Sequence, residues 1–465
     1  MNRFNAFGKL IVGIYIYALT VNCYAQNKRL TLPDALKLAE ANYPSIKASL
    51  FRKSGAEFNL SANKLEYMPA LDLQEQVTYA TANGLNGTFI PNGGFAFPTS
   101  GSIHADNNYS AAYGSYSTIA VDWAFFNFGK IKANINLAKS QLNEADLAYQ
   151  NELFSHKIKV ADAYLLLLGF EKEAGVQEKN LQRAAELKIA ITAASRSGLK
   201  AGTDSSFANA ELSKARIILS EANGKVASQK IRLNELLGVN DSMVEIDSMN
   251  YASSIPAFAT QDSVNINNNL QLKLYRAQEE SQFAKSTAVM RSYLPSIKFI
   301  AAGMGRGSGI SSTNDNYYSA HLSDGLSYDA YNYLLGVYFL WNVLDYPRVH
   351  NEYKSEQMYA LESKSVFDEQ RLKAQAELDN AQVQISIARS QAVEAPVGLK
   401  SAAEAYASSD ARYKAGLATL ADLAQNSYLL NSAESDLVIA YNNVWRALLL
   451  KAAAAGDMNL FLNSK

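Results

Sequence analysis

The chain has 465 residues, 48% of them hydrophobic, with 43 Lys and Arg against 44 Asp and Glu and a formal net charge of −1. Near-neutrality argues against a nucleic-acid partner, which would want a basic stripe, and length alone allows two or three domains. The unusual count is 27 Tyr beside 19 Phe and 3 Trp, so where the aromatic residues fall becomes the first question.

Met1–Ala25 places Arg3 and Lys9 ahead of the apolar run Leu10–Val21 and then Cys23-Tyr24-Ala25-Gln26. That order is a secretory signal peptide, with cleavage expected after Ala25. Lipidation of Cys23 is the alternative, against which stands Asn22 just before it. Cleavage removes the only cysteine and leaves neither a disulfide framework nor thiol chemistry. No later stretch approaches the ~18 consecutive apolar residues of a membrane helix.

Residues 26–66 read as N-terminal helices, with Thr31 as N-cap, Pro33 at the first helical position and a break at Tyr43-Pro44. Over 67–128 the period changes to two. Leu71, Leu73, Val77 and Tyr79 alternate with Asp72, Gln74, Gln76 and Thr78, and Glu75 is the misfit on the apolar side. Ala82–Asn108 is a long loop rich in Gly, Asn and Ser. A second strand follows, with Tyr113, Ile119, Val121, Trp123 and Phe125 on one face and Gly114, Thr118, Ala120, Asp122 and Ala124 on the other. Residues 129–237 form a helical hairpin: a helix over Gly129–Ser195, a turn over Ser197–Gly202, and a helix from Ser205 to Leu237. About 65 helical residues reach roughly 100 Å, far beyond what a globular core needs. Residues 238–266 are a connector.

The chain then repeats itself. Residues 267–292 are helical and end in Tyr293-Leu294-Pro295, an echo of Tyr67-Met68-Pro69. Residues 293–344 give a strand around Ile297–Met304, a loop over Gly305–Asp329, and a strand with Tyr331, Tyr333, Leu335, Val337, Phe339 and Trp341 on one face. Residues 345–455 form a second long hairpin, and 456–465 a C-terminal tail. Asn127 and Gly202 stand 75 positions apart, Asn342 and Gly416 74; Lys200-Ala201-Gly202 reappears as Lys414-Ala415-Gly416. Pro396 falls inside the second long helix, where a kink near Glu394–Pro396 is expected.

Each half thus supplies two strands with an aromatic, apolar face and a small or polar face, the alternation of an outer-membrane barrel with a wet interior. Four strands cannot close, and an open edge in lipid leaves backbone groups without partners. The chain must oligomerise to complete the barrel, a dimer giving ~8 strands and a trimer ~12. The long helices, continuous with the strands, form a second tube on the side away from the loops.

The most specific segment is Arg412-Tyr413-Lys414-Ala415-Gly416-Leu417-Ala418-Thr419-Leu420-Ala421-Asp422-Leu423. Together with the Leu32-Pro33-Asp34-Ala35-Leu36 helix, the paired Tyr-x-Pro strand entries and the Trp123–Gly129 strand-to-helix junction, it resembles the outer-membrane efflux protein family of TolC-like channels. The resemblance spans essentially the whole mature chain. It implies a homotrimer with a barrel of about twelve strands in outer-membrane lipid, continued by a long periplasmic α-helical barrel of coiled coils. It also implies docking onto a periplasmic adaptor (membrane fusion protein) and an inner-membrane transporter, as the exit duct of a tripartite efflux or type I secretion system. Gly198, Leu199, Gly202, Tyr413, Gly416, Leu417 and Thr419 would then sit at the periplasmic tip where the adaptor docks. Asp422 and Gln425 would line the pore constriction. The family often carries Asp where Gln425 stands, and its basic position near the turn is Ala418 here, which removes that ion pair. Apart from the family, Gly198, Gly202 and Gly416 serve simply to reverse the chain, and Asp422 is a first-turn carboxylate favoured by the helix dipole. In the first half, Thr203-Asp204-Ser205-Ser206 departs from the second half's spacing, and no pore residue is assigned there.

Chemistry-bearing constellations are absent. His104, His156, His321 and His350 are scattered without metal-ligand spacing. Gly303-Met304-Gly305-Arg306-Gly307 lacks the Lys-Ser/Thr of a phosphate loop and reads better as loop beside a barrel strand. No cofactor and no enzymatic activity are expected. The rival reading is a periplasmic coiled-coil adaptor or scaffold without a pore, disfavoured by the aromatic strand pairs.

Overall fold

A computed structural model describes residues 29–83, 106–197, 201–240, 245–247, 251, 256, 266–311 and 317–463. The signal segment with Cys23, the loop centre with His104, and Gly198 and Leu199 lie outside them. In chain order the elements are α1 (Leu32–Asn42), α2 (Pro44–Leu65), β1 (Ala70–Ala80), β2 (Ala112–Phe126), α3 (Lys130–Arg196), α4 (Gly202–Leu237), α5 (Leu270–Ser292), β3 (Ser296–Ser308), α6 (Leu322–Leu326), β4 (Tyr328–Leu340), α7 (Tyr346–Lys414), α8 (Leu420–Ala455) and α9 (Asn459–Leu462). Among the described residues no helix is long and apolar enough to cross a membrane. Two compact units result, one of Gly55–Leu142 with Glu279–Ser363, the other of Met1–Ser54 with Asn143–Gln278 and Lys364–Lys465.

The first unit holds a four-stranded antiparallel sheet in the order β1-β2-β3-β4, so the two halves of the duplication join through β2 and β3. The register pairs Leu73 with Ile119, Ile119 with Gly303 and Gly303 with Tyr333. Because side chains alternate, this puts Leu71, Leu73, Ile119, Val121, Phe299, Tyr333, Leu335 and Val337 of the four strands on one face. Each Tyr-x-Pro entry docks on the tryptophan of its own returning strand. Trp123 Nε1 donates to Tyr67 O at 2.9 Å, and the Tyr293 ring meets that of Trp341 edge-on at 5.6 Å. The strand-to-helix junctions differ between the halves. Asn127 O and Oδ1 accept from the amides of Lys130 and Ile131, with Phe128 and Gly129 both at positive φ, 49° and 89°. The second half uses a 3-10 turn over Val343–Asp345 and no side-chain cap from Asn342.

Two expectations for the second strand pair need correction. β3 extends to Ser308, so Gly303–Gly307 is strand and not loop. The connection also contains α6, whose Gly325 carbonyl accepts from the buried Ser115 Oγ at 2.6 Å. A Cβ on Gly325 would stand 2.5 Å from Tyr113 Cβ, so only glycine allows this approach.

The second unit is helical. Its main core gathers Leu32, Ala35, Leu36 and Ala39 of α1, Val160–Leu168 of α3, Leu233 and Leu237 of α4, Trp445 and Leu449 of α8, and Phe461. Phe461 is fully buried, so 459–462 is a docked helix rather than a loose tail. Each such Leu or Phe contributes about 1.5–3 kcal/mol by leaving water. Tyr164 Oη lies 3.0 Å from Leu30 O and 2.8 Å from Asp247 O, pinning the short parallel bridge between Leu30 and Ile246; burial raises its pKa. The break at Tyr43-Pro44 separates α1 from α2, and Tyr43 stacks on the buried His156 at 3.8 Å. Burial lowers the His156 pKa, and its Nε2–H donates to Leu236 O at 2.8 Å. Helix α7 is uninterrupted through Pro396.

Candidate functional site

The turn between α7 and α8 is built entirely from local rules. Gly416 adopts φ 75°, in the left-handed region that an L side chain enters only at a cost. Its N–H donates to Tyr413 O at 3.0 Å, and Leu417 N–H donates to Arg412 O at 2.8 Å. These two bonds close a Schellman motif and satisfy carbonyls that the helix end would leave unpaired. Three residues later α8 starts with a capping box. Asp422 N–H donates to Thr419 Oγ1 at 3.2 Å, and Thr419 N–H donates back to Asp422 Oδ2 at 3.0 Å. The Thr419 hydroxyl also donates to that carboxylate at 2.7 Å. These Thr419 bonds hold the Asp422 carboxyl below the ordinary carboxylate value. Gln425 is exposed one turn further on.

Beneath the turn, Tyr413 (8% exposed), Leu420 and Leu423 pack with Ile191 of α3 and Ala208 of α4. The ends of both hairpins therefore share one small core. Leu417, at 71% exposure, is the apolar side chain left outside it.

The first hairpin departs from expectation. Gly202 is not in the turn: it is the first residue of α4, without positive φ, behind an extended Ala201 that offers no side-chain cap. The glycine of the repeated Lys-Ala-Gly thus follows the end of a helix in the second half and begins one in the first. Aligned by helix position instead, Asp204 stands third in α4 as Asp422 stands third in α8. Spacing from the repeated glycine hid this equivalence; the signal available was an acidic residue in a helical first turn. Asp204 lies near enough to add to the burial that raises the Tyr413 pKa.

The sheet supplies a second candidate surface. Leu71, Leu73, Ile119, Trp123, Tyr331, Tyr333, Leu335, Val337 and Phe339 are all exposed on one face, Tyr333 at 84%. Glu75, the misfit there, is met by Ser117 Oγ and by Tyr328 Oη, the latter at 3.1 Å. On the opposite face Asp122 accepts from Lys298 Nζ at 3.0 Å and from Tyr338 Oη at 2.8 Å, linking β2, β3 and β4. Sequence reading placed Asp122 on this polar face but did not find its partners, which pairing across non-adjacent segments supplies. Among the described residues no group of three or more His, Cys, Asp or Glu is arranged to hold a metal ion.

This arrangement recurs in known proteins. No curated protein sequence matches the chain significantly. Solved structures do. The outer-membrane channel OprN superposes with TM-score 0.75 at 14% identity, covering 91% of this chain and 89% of that one. The outer-membrane protein VceC of Vibrio cholerae gives 0.74 at 16%, covering 92% and 96%. CusC, described in relation to transmembrane channel formation, gives 0.76 at 12%, covering 92% of each. At these identities the likeness establishes the fold, a TolC-like one. The family follows from sequence, since the model for outer membrane efflux protein matches residues 35–239 and 263–455. Those two stretches are the two halves of the duplication, and the chain belongs to the outer membrane efflux protein family.

Proposed function

We propose that the protein is a trimeric outer-membrane channel, the exit duct of a tripartite efflux or type I secretion system, passing substrate from a periplasmic adaptor and inner-membrane pump to the exterior. The observation that carries this reading is the sheet. Its apolar face is exposed on β1, β2 and β4, and among the described residues its outer strands β1 and β4 pair only on one side within the chain. In lipid such edges require partners. Because β1 and β4 run antiparallel, copies joined β4 to β1 continue the same sheet and close a ring under cyclic symmetry. The apolar face then meets outer-membrane lipid, and Asp122, Lys298 and Tyr338 line a polar lumen.

The long helices are the periplasmic part, reached by export after cleavage behind Ala25. Gly198, Leu199, Gly202, Tyr413, Gly416, Leu417 and Thr419 belong to the tip that receives the adaptor, with Leu417 as the exposed apolar contact. Asp422 and Gln425 border the constriction there, and Asp204 adds a second carboxylate. Rings of such groups favour cations. The role is conduction rather than catalysis.

Single-channel recording of the detergent-extracted oligomer in planar bilayers tests this, wild type beside Asp422→Asn. Discrete, cation-selective steps are expected, with selectivity reduced in the variant. Steps indifferent to the substitution would remove Asp422 from the constriction. A chain that never inserts would overturn the channel itself.

A further inference from the structure

We propose that the apolar face of the sheet carries a lipid-binding groove, in which Glu75 receives the ammonium of an amine-headed membrane lipid and the glycines of β3 seat its acyl chain. This rests on the outer-membrane reading of that face. The register sets Glu75 of β1 level with Ser117 of β2, Gly305 of β3 and Tyr331 of β4, all on the face that carries Leu73, Ile119 and Tyr333. Where the other strands present larger side chains, β3 presents Gly303 and Gly305. An added Cβ at Gly303 would meet nothing within 4 Å, and one at Gly305 would meet the Tyr328 ring at 3.4 Å. These glycines leave a groove of about 640 Å³, with Leu73 and Ile119 on one side and Tyr328 and Tyr331 on the other. The two tyrosine rings meet edge-on at 6.3 Å, and Tyr331 is 74% exposed. Helix α6 closes the groove toward the loops. Its Gly325 carbonyl accepts from Ser115, the next residue on this face beyond Ser117, and a Cβ on Gly307 would stand 2.7 Å from that carbonyl.

Glu75 stands at the polar end of this groove. Tyr328 Oη donates to its Oε2 at 3.1 Å, and Ser117 Oγ donates to the same oxygen. Among the described residues Oε1 has no donor, and no Lys or Arg pairs with the carboxylate. A charge on the lipid face of a barrel is costly at the midplane and far less so near the interface. Gly305 and Tyr331, level with Glu75, lie close to the loop ends of β3 and β4. A group that reaches Oε1 at that depth has to bring positive charge and an apolar body together. A calcium ion is a poor fit, since it takes about six to eight oxygen ligands and one carboxylate is on offer. A primary ammonium gives Oε1 a charge-assisted hydrogen bond, while the tail it carries covers Gly303 and Gly305 between Ile119 and the tyrosines. The occupant is accordingly a lipid whose headgroup ends in an amine.

The test is native mass spectrometry of the detergent-extracted, full-length oligomer, incubated with phosphatidylethanolamine or with phosphatidylglycerol of the same acyl chains. The wild type is expected to retain the ethanolamine lipid about fivefold over the glycerol lipid, the scale of one interfacial ion pair. Glu75→Gln keeps the size of the side chain and an acceptor for both hydroxyls, and should abolish the preference. Gly303→Leu fills open space on the apolar face and should lower retention of both lipids by half or more. Glu75→Gln carries the test alone if Gly303→Leu fails to assemble. An oligomer that conducts in planar bilayers yet retains both lipids equally, or keeps its preference in Glu75→Gln, would overturn the groove and leave the channel reading standing. Retention unchanged in an assembled Gly303→Leu oligomer would overturn the groove as well. Absence of any oligomer by mass would overturn groove and channel together.

Discussion

The two hairpins carry the same tripeptide, and the structure uses it in opposite ways. Lys414-Ala415-Gly416 closes α7, with Gly416 left-handed and the next helix capped three residues later by Thr419. In the first hairpin Gly202 opens α4, with Ala201 where a capping side chain would stand. A repeated motif therefore marks common descent without marking common conformation. What decides is the flanking residues: a hydroxyl at 419 completes a capping box that a methyl at 201 cannot. The second turn is locally specified on both sides. At the start of α4, packing of Ala208 beneath Tyr413 takes over that task.

If that division holds, the largest effect comes from the shared core. Tyr413→Ala removes a ring buried among Ile191, Ala208, Leu420 and Leu423, at a cost of about 3 kcal/mol. Loss of amide protection is expected at the ends of both hairpins, near Ile191 as well as Leu423, in hydrogen-exchange measurements on the oligomer. A loss confined to α8 would separate the two ends. The glycines come next, with opposite signs. Gly416→Ala places an L side chain at φ 75° and should destabilise its turn by about 1 kcal/mol. Gly202→Ala meets nothing within 4 Å and has no positive φ, so it should stabilise α4 by about 0.5 kcal/mol. Equal losses at both positions would show that the tripeptides are equivalent after all. The caps follow: Thr419→Ala should cost about 1 kcal/mol and Ala201→Thr should gain about 0.5 kcal/mol, read as opposite shifts in protection of the first turns of α8 and α4.

Much of the fold was legible because it rests on periodicity. Period-two runs at 71–79, 113–125 and 331–341 placed the apolar face of three strands correctly, and duplication ordered the elements. The start of β4 at Tyr328 and the end of β3 at Ser308 were not legible, since Gly305–Ser308 reads as loop until a partner strand supplies its hydrogen bonds. Nor was α6, held by Ser115 from far away in sequence. Of the candidate tip residues, Gly416 and Thr419 follow from turn and cap chemistry that a sequence displays. Gly202 was misread because the repeat was aligned on glycine identity rather than on helix position, and the same alignment concealed Asp204. The partners of Asp122 and Glu75 depend on pairing between strands 42 to 253 residues apart, which no local pattern carries.

The smallest expected effect is the most specific to the cap. Asp422 titrates below its usual value of 3.8 because the Thr419 hydroxyl and amide stabilise the carboxylate. A group whose folded pKa is depressed contributes stability that is complete above the unfolded value and lost as pH falls through the folded one. Protection of the first turn of α8 should therefore hold above pH 3.8 and decline beneath it. Asp422→Asn should remove that dependence, because an amide does not titrate there. Thr419→Ala should flatten it too, because the donors that depress the pKa are weakened. The first turn of α4 has no capping hydroxyl at Ala201 and serves as the internal reference in the same experiment. Were α8 to lose protection with the same pH profile in the wild type and in Asp422→Asn, the loss would come from general acid unfolding, and the capping box would not be what distinguishes the two turns.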